Sequence, residues 1–420
     1  MRCRLALILF CTGLIAGELQ AENPGNFTFR AGVGYDFISQ EYYLDSARYD
    51  PDSTINIALL KRDYLDDKKG LLYLKYHPDN GGRQNLEIGW EQTPDIYRAL
   101  GWGHFTVSGS RNRLESDFHF ERKNRIDGAS EAGEEFLVAD GRLAWRQNWS
   151  DKVESKTRIF GETVSFDSTG GLLYDYTRFG GDLTVNISNR RFDTWSVTGG
   201  IEKRTVRDSA VLDYFIWRGS GNYLGSLGRV FLSAQVGLEW KKYNWDDDRD
   251  NYLFYSGDFY ARIPLGTTLF LRPSGIFEYF NFEIEDYFSN DYYRLRPALV
   301  LEKELGSLTL STGPKAEFFS VRTDYDDDDF IEAGLSAGAD YYGAERLFLI
   351  LENQLGKRHY TNRPEFYSDF WYDRLSLIGN LKIWRALSFE LLFSGEWEWH
   401  EIAADDARLY LISSRLTCTF

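Results

Sequence analysis

Only five histidines occur in the 420 residues, His77, His104, His119, His359 and His400. His400 lies just before Asp405 and Asp406, and an imidazole beside carboxylates can take a proton from water. No nucleophile motif and no metal-spaced histidine pair accompanies it, so the sequence points away from an enzyme. A second chemistry is oxygen ligation. Asp324, Asp326, Asp327, Asp328 and Asp329 form one acidic run and Asp246, Asp247, Asp248 and Asp250 another. Carboxylates of this kind bind Ca2+ or Mg2+. Neither run has the central glycine and late glutamate of an EF-hand loop, so a cation at Asp324 to Asp329 is the one metal expectation, and no other cofactor is implied. Cysteines offer little: Cys3 and Cys11 sit in the amino-terminal leader and Cys418 stands alone near the carboxyl end, which leaves no disulfide pair or thiolate metal site.

What these groups can do depends on the elements that carry them. Residues 1–21 combine Arg2 and Arg4 with an apolar run from Leu5 to Ala16 and small residues before Ala21, the pattern of a secretory signal peptide. The rest, 22–420, reads as one domain. Outside the leader no apolar stretch approaches the roughly 20 residues of a membrane-spanning helix. Aromatic residues at 16%, 38 glycines and only 9 prolines favour many strands. A net charge of −16 argues against nucleic acid as a partner.

From residue 150 onward, compact turn signals recur at 149–152, 188–191, 225–228, 264–267, 305–307, 342–345 and 385–386, roughly 35 to 41 residues apart. Polar, mostly acidic stretches fall midway between them, as in "NWDDDRDN" and "DYDDDD". The repeat reads as one of shape, without a repeated sequence. Between turn and loop, side chains alternate. Val230, Leu232, Ala234, Val236, Leu238 and Trp240 oppose Ser233, Gln235, Gly237 and Glu239, and Phe389, Leu391, Phe393, Trp397 and Trp399 oppose Glu390, Ser394, Glu396 and Glu398. Period-two alternation over runs of about 12 to 18 residues exceeds the usual soluble strand of about 5 or 6. Aromatic residues gather near the strand ends, as Trp145 and Trp149 or Trp240 and Trp245 do.

This pattern predicts an all-β fold, a single antiparallel up-and-down transmembrane barrel of 20 strands, with 18 and 22 as alternatives and no plug domain. In the first third, strands are expected near 26–38, 53–62, 69–76, 83–92, 102–122 and 136–149, with 102–122 as one long strand. Charges on the polar faces must then point inward, because facing lipid is costly. The expected pore-lining residues are Glu154, Lys156, Arg158, Glu162, Glu202, Arg204, Arg294, Arg296, Glu302, Lys315 and Glu317.

The ending "LYLISSRLTCTF" places Tyr410, Ile412, Leu416, Cys418 and Phe420 on one face, with Ser414 a weak member. With the leader and the alternation of short and long connections, it resembles the outer-membrane β-barrel proteins of Gram-negative bacteria. The resemblance is architectural and covers the whole of 22–420. It implies a porin-like channel in the outer membrane for passive diffusion of small hydrophilic solutes or ions. It also implies contact with membrane lipid and lipopolysaccharide, and a terminal strand read by the barrel-assembly machinery. The alternative is a structural or surface-interaction barrel whose acidic loops bind divalent cations or lipopolysaccharide. Oligomeric state is left open.

Overall fold

Alternation this regular leaves each strand one apolar face, and the chain satisfies all of them with a single closed sheet. The computed structural model describes residues 27–419 except 46–57, 77–83, 94–95, 126–134, 167–173, 190–192, 208, 245–250, 284–290, 323–328, 344–345 and 362–367. The leader 1–21 and Phe420 therefore lie outside the described residues.

Twenty strands follow one another: β1 (Phe27–Asp45), β2 (Ala58–Tyr76), β3 (Gln84–Gln92), β4 (Ile96–Ser108), β5 (Asn112–Arg125), β6 (Phe136–Asn148), β7 (Val153–Phe166), β8 (Tyr176–Ser188), β9 (Thr194–Val206), β10 (Tyr214–Leu227), β11 (Val230–Tyr243), β12 (Tyr252–Pro264), β13 (Leu269–Phe282), β14 (Tyr292–Leu305), β15 (Leu308–Val321), β16 (Phe330–Gly343), β17 (Leu347–Tyr360), β18 (Phe370–Lys382), β19 (Leu387–His400) and β20 (Ala407–Thr419). Each pairs antiparallel with the next, and β20 pairs back onto β1 from Arg30↔Thr419 to Glu41↔Arg408, which closes the sheet. Closure joins the two ends of the sheet, so the ladder runs round the whole wall within the chain, while the β1–β2 hairpin rises beyond it, with β2 pairing to β3 only from Gly70↔Gln92 to Tyr76↔Leu86. Among the described residues there is no distinct plug.

The apolar set faces outward. Ile159 is 55% exposed and Leu335 64%, whereas Glu202 and Glu332 on the inner face are 2% and 3% exposed. A strand of 14 residues is about 45 Å long and, tilted by about 40°, crosses about 35 Å, more than the roughly 25 Å apolar band of a membrane barrel. At one end the connections are short. β10 to β11 and β14 to β15 turn through two residues each, with Gly228 at φ 67° and Gly306 at φ 68°. Positive φ at the first turn position matches the twist of a tight hairpin and favours glycine. At the other end, here the long-loop end, the connections are mostly longer.

Two elements depart from the sequence reading, and they cancel in the count. The expected strands at 53–62 and 69–76 are one strand, β2, whose backbone pairs with β1 without a break from Phe27↔Tyr76 to Asp45↔Ala58. The charged run "RDYLDDKK" hides this continuity, because ladder hydrogen bonds are made by backbone whatever the side-chain pattern. The expected long strand at 102–122 is two, β4 and β5, reversed at 109–111, where the Gly109 N–H donates to the Asn112 carbonyl at 2.7 Å. The signal is a change of parity. Phe105 and Val107 face outward at odd positions, Leu114, Phe118 and Phe120 at even ones. No single strand holds both sets on one face.

Candidate functional site

The inner wall is built by a repeated hairpin. Strands β7, β9, β11, β13, β15, β17 and β19 all end at the long-loop end, and the N–H of each last residue donates to a side-chain oxygen just before the next strand. The acceptors are Asp175, Asp213, Asn251, Asp291, Asp329, Asp369 and Asp406, at 2.5 to 2.9 Å. The carbonyls of the first six accept from the hairpin that follows, at 2.8 to 3.0 Å, as when the Arg207 N–H donates to Asp175. The same six precede Tyr176, Tyr214, Tyr252, Tyr292, Phe330 and Phe370. An Asp or Asn followed by an aromatic residue is thus a repeated sequence after all. It spans only two residues among nearly forty, too little to stand out before the loop that separates it from its partner is closed.

A second repeat lies one level deeper. Glu162, Glu202, Glu239, Glu278, Glu317 and Glu396 each stand four residues before the end of their strand. Even spacing keeps them on the inner face, level with one another. Arginines of the intervening strands bridge them. Glu162 meets Arg178 at 2.9 Å, and Arg178 reaches Glu202 at 3.7 Å. Arg218 holds Glu202 at 2.7 Å and Glu239 at 2.6 Å, and the Tyr252 hydroxyl donates to Glu239 at 2.6 Å. Farther round, Arg294 joins Glu317 at 2.7 Å and Arg296 joins Glu278 at 2.9 Å. In β17 the corresponding residue is Gly356, where any Cβ would collide with the Tyr372 hydroxyl. Its place in the belt is taken by Glu332, bound by Arg358 at 2.8 Å and Arg374 at 2.7 Å, with Arg374 also on Glu396 at 2.5 Å.

The structure places the other expected lining residues on this wall as well. Arg158 pairs with Asp182 at 2.5 Å, and Arg204 stacks over the Tyr176 ring at 4.2 Å. Glu302 forms a separate network nearer the short-turn end with Arg262 at 2.7 Å and Arg272 at 2.5 Å. Glu154 accepts from Asn186 at 3.3 Å, Lys156 lies between Glu154 and Arg158 on the inner face, and Lys315 lines a small wall cavity of ≈ 190 Å³. A larger cavity of ≈ 790 Å³ extends along the inner faces of β3 to β12, past His104, Asp117, Arg142, Asp182, Glu202 and Phe254. His104 lies 2.6 Å from Asp117 and His119 lies 2.8 Å from Asp140. The sequence reading put Glu239 on a polar face but missed Arg178, Arg218, Glu278, Glu332, Arg358 and Arg374. Inward parity and offset from the strand end would have found them.

The rim residues are also assigned. Asp329 accepts the Val321 N–H at 2.5 Å and the Ser320 hydroxyl at 3.1 Å, so both oxygens are engaged in closing its hairpin. Asp324, Asp326, Asp327 and Asp328 lie outside the described residues, as do Asp246, Asp247, Asp248 and Asp250, and among the described residues no group of three or more metal-ligating side chains converges. His400 meets a serine that the sequence did not suggest. Its Nδ1 is 2.9 Å from Ser368 Oγ, while that hydroxyl donates to Asp405 at 3.0 Å. Ser368 is buried, at 8% exposure, and the arrangement ties β18 to the last long loop. His359 Nδ1 is 2.5 Å from Asp369. Burial disfavours the Asp369 carboxylate, but hydrogen bonds from His359 and the Tyr360 N–H outweigh it and hold this carboxyl below its ordinary range.

On β20, Tyr410, Ile412, Leu416 and Cys418 take the outward face, and the Trp397 indole donates to the Tyr410 hydroxyl at 2.6 Å.

Comparison with solved structures gives the architecture its class. The siderophore receptor PirA from Pseudomonas aeruginosa superposes with a TM-score of 0.53 at 10% identity, over 93% of this chain and 80% of that one. The ferric enterobactin receptor PfeA of the same species, in a mutant form, gives 0.54 at 10% identity over the same shares. The alcaligin receptor FauA from Bordetella pertussis gives 0.53 at 8%, over 93% and 76%. The fold is that of the Gram-negative outer-membrane β-barrels. The exposed apolar face around it has the outer-membrane bilayer as its solvent, and in barrels of this class the longer connections lie on the outside of the cell. No family model and no curated protein matches the sequence.

Proposed function

We propose that this outer-membrane barrel is a passive, porin-like channel for small hydrophilic solutes or ions. The observation that carries the reading is a twenty-stranded closed wall whose inner face is charged and whose described residues include no plug. Barrels of 16 to 18 strands already enclose an aqueous path, and inward arginines and carboxylates are stable only where water or partners reach them. Because most of the described inner charges are paired with opposite ones, the wall presents little net field to a passing ion. Selectivity between cations and anions is therefore expected to be weak.

Purified protein in a planar bilayer tests this. The expected record shows ohmic steps, with a reversal potential that moves little when a salt gradient is imposed. A correctly folded but silent barrel would sink the channel reading and leave the surface-interaction alternative.

The outward residues of β20 also support a proposal that this strand, with Phe420, is the address read by the barrel-assembly machinery. Deleting Phe420 is expected to lower the amount of folded barrel recovered in outer-membrane fractions. Unchanged recovery would reduce β20 to an ordinary closing strand.

A further inference from the structure

Aromatic residues occur on both faces of the wall near the long-loop end, and only one set has lipid to meet. Tyr255, Tyr279 and Tyr293 stack on the outer face at 6.0 and 4.6 Å between ring centroids, as a membrane girdle does. One face away, pointing into the lumen, Phe254 and Phe280 lie 4.3 Å apart, Phe280 and Tyr292 5.0 Å, Tyr292 and Phe319 5.2 Å, and Phe319 and Phe330 5.2 Å. Tyr252 joins Phe280 at 5.3 Å. These rings are half-buried. From Phe330 onward the arc is covered, since Arg358 lies over Phe330 and Arg374 over Tyr372, and Phe370 and Tyr372 are 2% and 0% exposed. The open part therefore runs from Tyr252 to Phe319, across β12 to β15.

An apolar arc at the mouth of a wet lumen is costly unless something covers it. Directly below it, two residues farther along the same faces and so about 6 to 7 Å deeper, stand Glu278, Arg294 and Glu317. Guanidinium groups carry five donors and carboxylates about four acceptor positions, so both keep capacity after pairing. Arg296 Nε in this belt is buried without a protein partner.

Flat apolar rings beside planar charged donors and acceptors suit a solute with one C–H face and a rim of hydroxyls. An apolar aromatic solute would strip water from the belt without replacing its hydrogen bonds. A small ion gains nothing from the rings. We propose that the outer mouth of the lumen is a carbohydrate-binding platform, where the open arc from Tyr252 to Phe319 stacks against sugar rings and the belt below receives their hydroxyls. This assignment rests on the lumen being a solute path, and it names the substrate class of that path as oligosaccharides.

The test uses maltohexaose, cellohexaose and isomaltohexaose on the purified full-length barrel, with hexaethylene glycol as a chain of ether oxygens without sugar rings. In planar bilayers at least one hexasaccharide is expected to interrupt the ionic current reversibly, and the glycol is not. The double variant Phe280→Ala/Tyr292→Ala is expected to raise the half-blocking concentration about tenfold. Phe280→Leu/Tyr292→Leu keeps the apolar bulk and loses the rings, and it is expected to do the same, which separates stacking from space filling. Saturation-transfer NMR on the detergent-solubilised barrel reads binding without conduction. An open channel that none of the three sugars blocks, with no saturation transfer, overturns the platform and leaves the channel standing. Saturation transfer to a silent barrel supports the platform and removes the channel. Leucine variants that block like wild type also overturn the role of the rings.

Discussion

Glu332→Ala is expected to lower the unfolding free energy of the barrel by about 3 kcal/mol, the low end for removing one partner of a buried charge network. Glu332 is 3% exposed and accepts from two guanidinium groups, Arg358 at 2.8 Å and Arg374 at 2.7 Å. Both arginines also lie over aromatic rings, Arg358 over Phe330 at 4.1 Å and Arg374 over Tyr372 at 4.2 Å. Without the carboxylate, two cations on the adjacent strands β17 and β18 are left side by side with only Glu396 to neutralise Arg374. Repulsion at this range is screened less inside the wall than at an open surface. Glu332→Gln keeps the shape and one acceptor but loses the charge, and a smaller loss is expected. Combining Glu332→Leu with Arg358→Met and Arg374→Met removes the whole network and should recover most of the stability, because apolar replacement of a complete buried cluster is often neutral or better. Urea midpoints of the folded barrel in detergent measure all three. A Glu332→Ala variant within about 0.5 kcal/mol of wild type, the usual range for exposed positions, would show that the cluster is solvated and of no structural weight.

Asp291→Ala should open the long-loop end of the β13–β14 hairpin at a cost of about 2 to 3 kcal/mol. Asp291 is almost fully buried. One oxygen accepts the Phe282 N–H at 2.7 Å, the other accepts from Asn281 Nδ2 at 2.7 Å, and its carbonyl accepts the Arg322 N–H at 2.8 Å. Alanine leaves the first two half-buried donors without these acceptors, while the third bond survives because it uses backbone. The protein supplies its own control. Asn251 fills the equivalent place before β12 and accepts the Tyr243 N–H at 2.8 Å through Oδ1, so Asp291→Asn is expected to retain most of the stability. Hydrogen exchange at the Phe282 amide reads the site directly, with protection lost in the alanine variant and kept in the asparagine one. Equal protection in both would mean that the closed sheet, rather than the aspartate, holds this end.

These clasps show why part of the design was legible in the sequence and part was not. Alternation such as Leu295, Leu299 and Leu301 against Arg294, Arg296 and Glu302 assigns faces by itself, because a strand sends successive side chains to opposite sides whatever its neighbours are. The strand count also came out right, but through one excess and one deficit in the first third. Charges in β2 masked a continuous ladder there, and a parity change marked a turn between β4 and β5. The acidic loops carried an ambiguous signal. A carboxylate that caps a neighbouring strand and one that ligates a cation are the same residue type, and only the fold shows that Asp329 accepts the Val321 N–H and the Ser320 hydroxyl.

The amino-acid order alone determined an alternating chain of long strands whose apolar face needs a non-aqueous solvent, and hence a closed barrel with charge inside. That follows from local geometry and from the cost of unpaired backbone in lipid. Pairing was decided by the tertiary structure. Register sets which glutamate meets which arginine, brings Ser368 to His400 across 32 residues, and aligns rings from five strands into one arc. Those contacts depend on the stagger between strands far apart in sequence, and stagger is defined only when β20 meets β1.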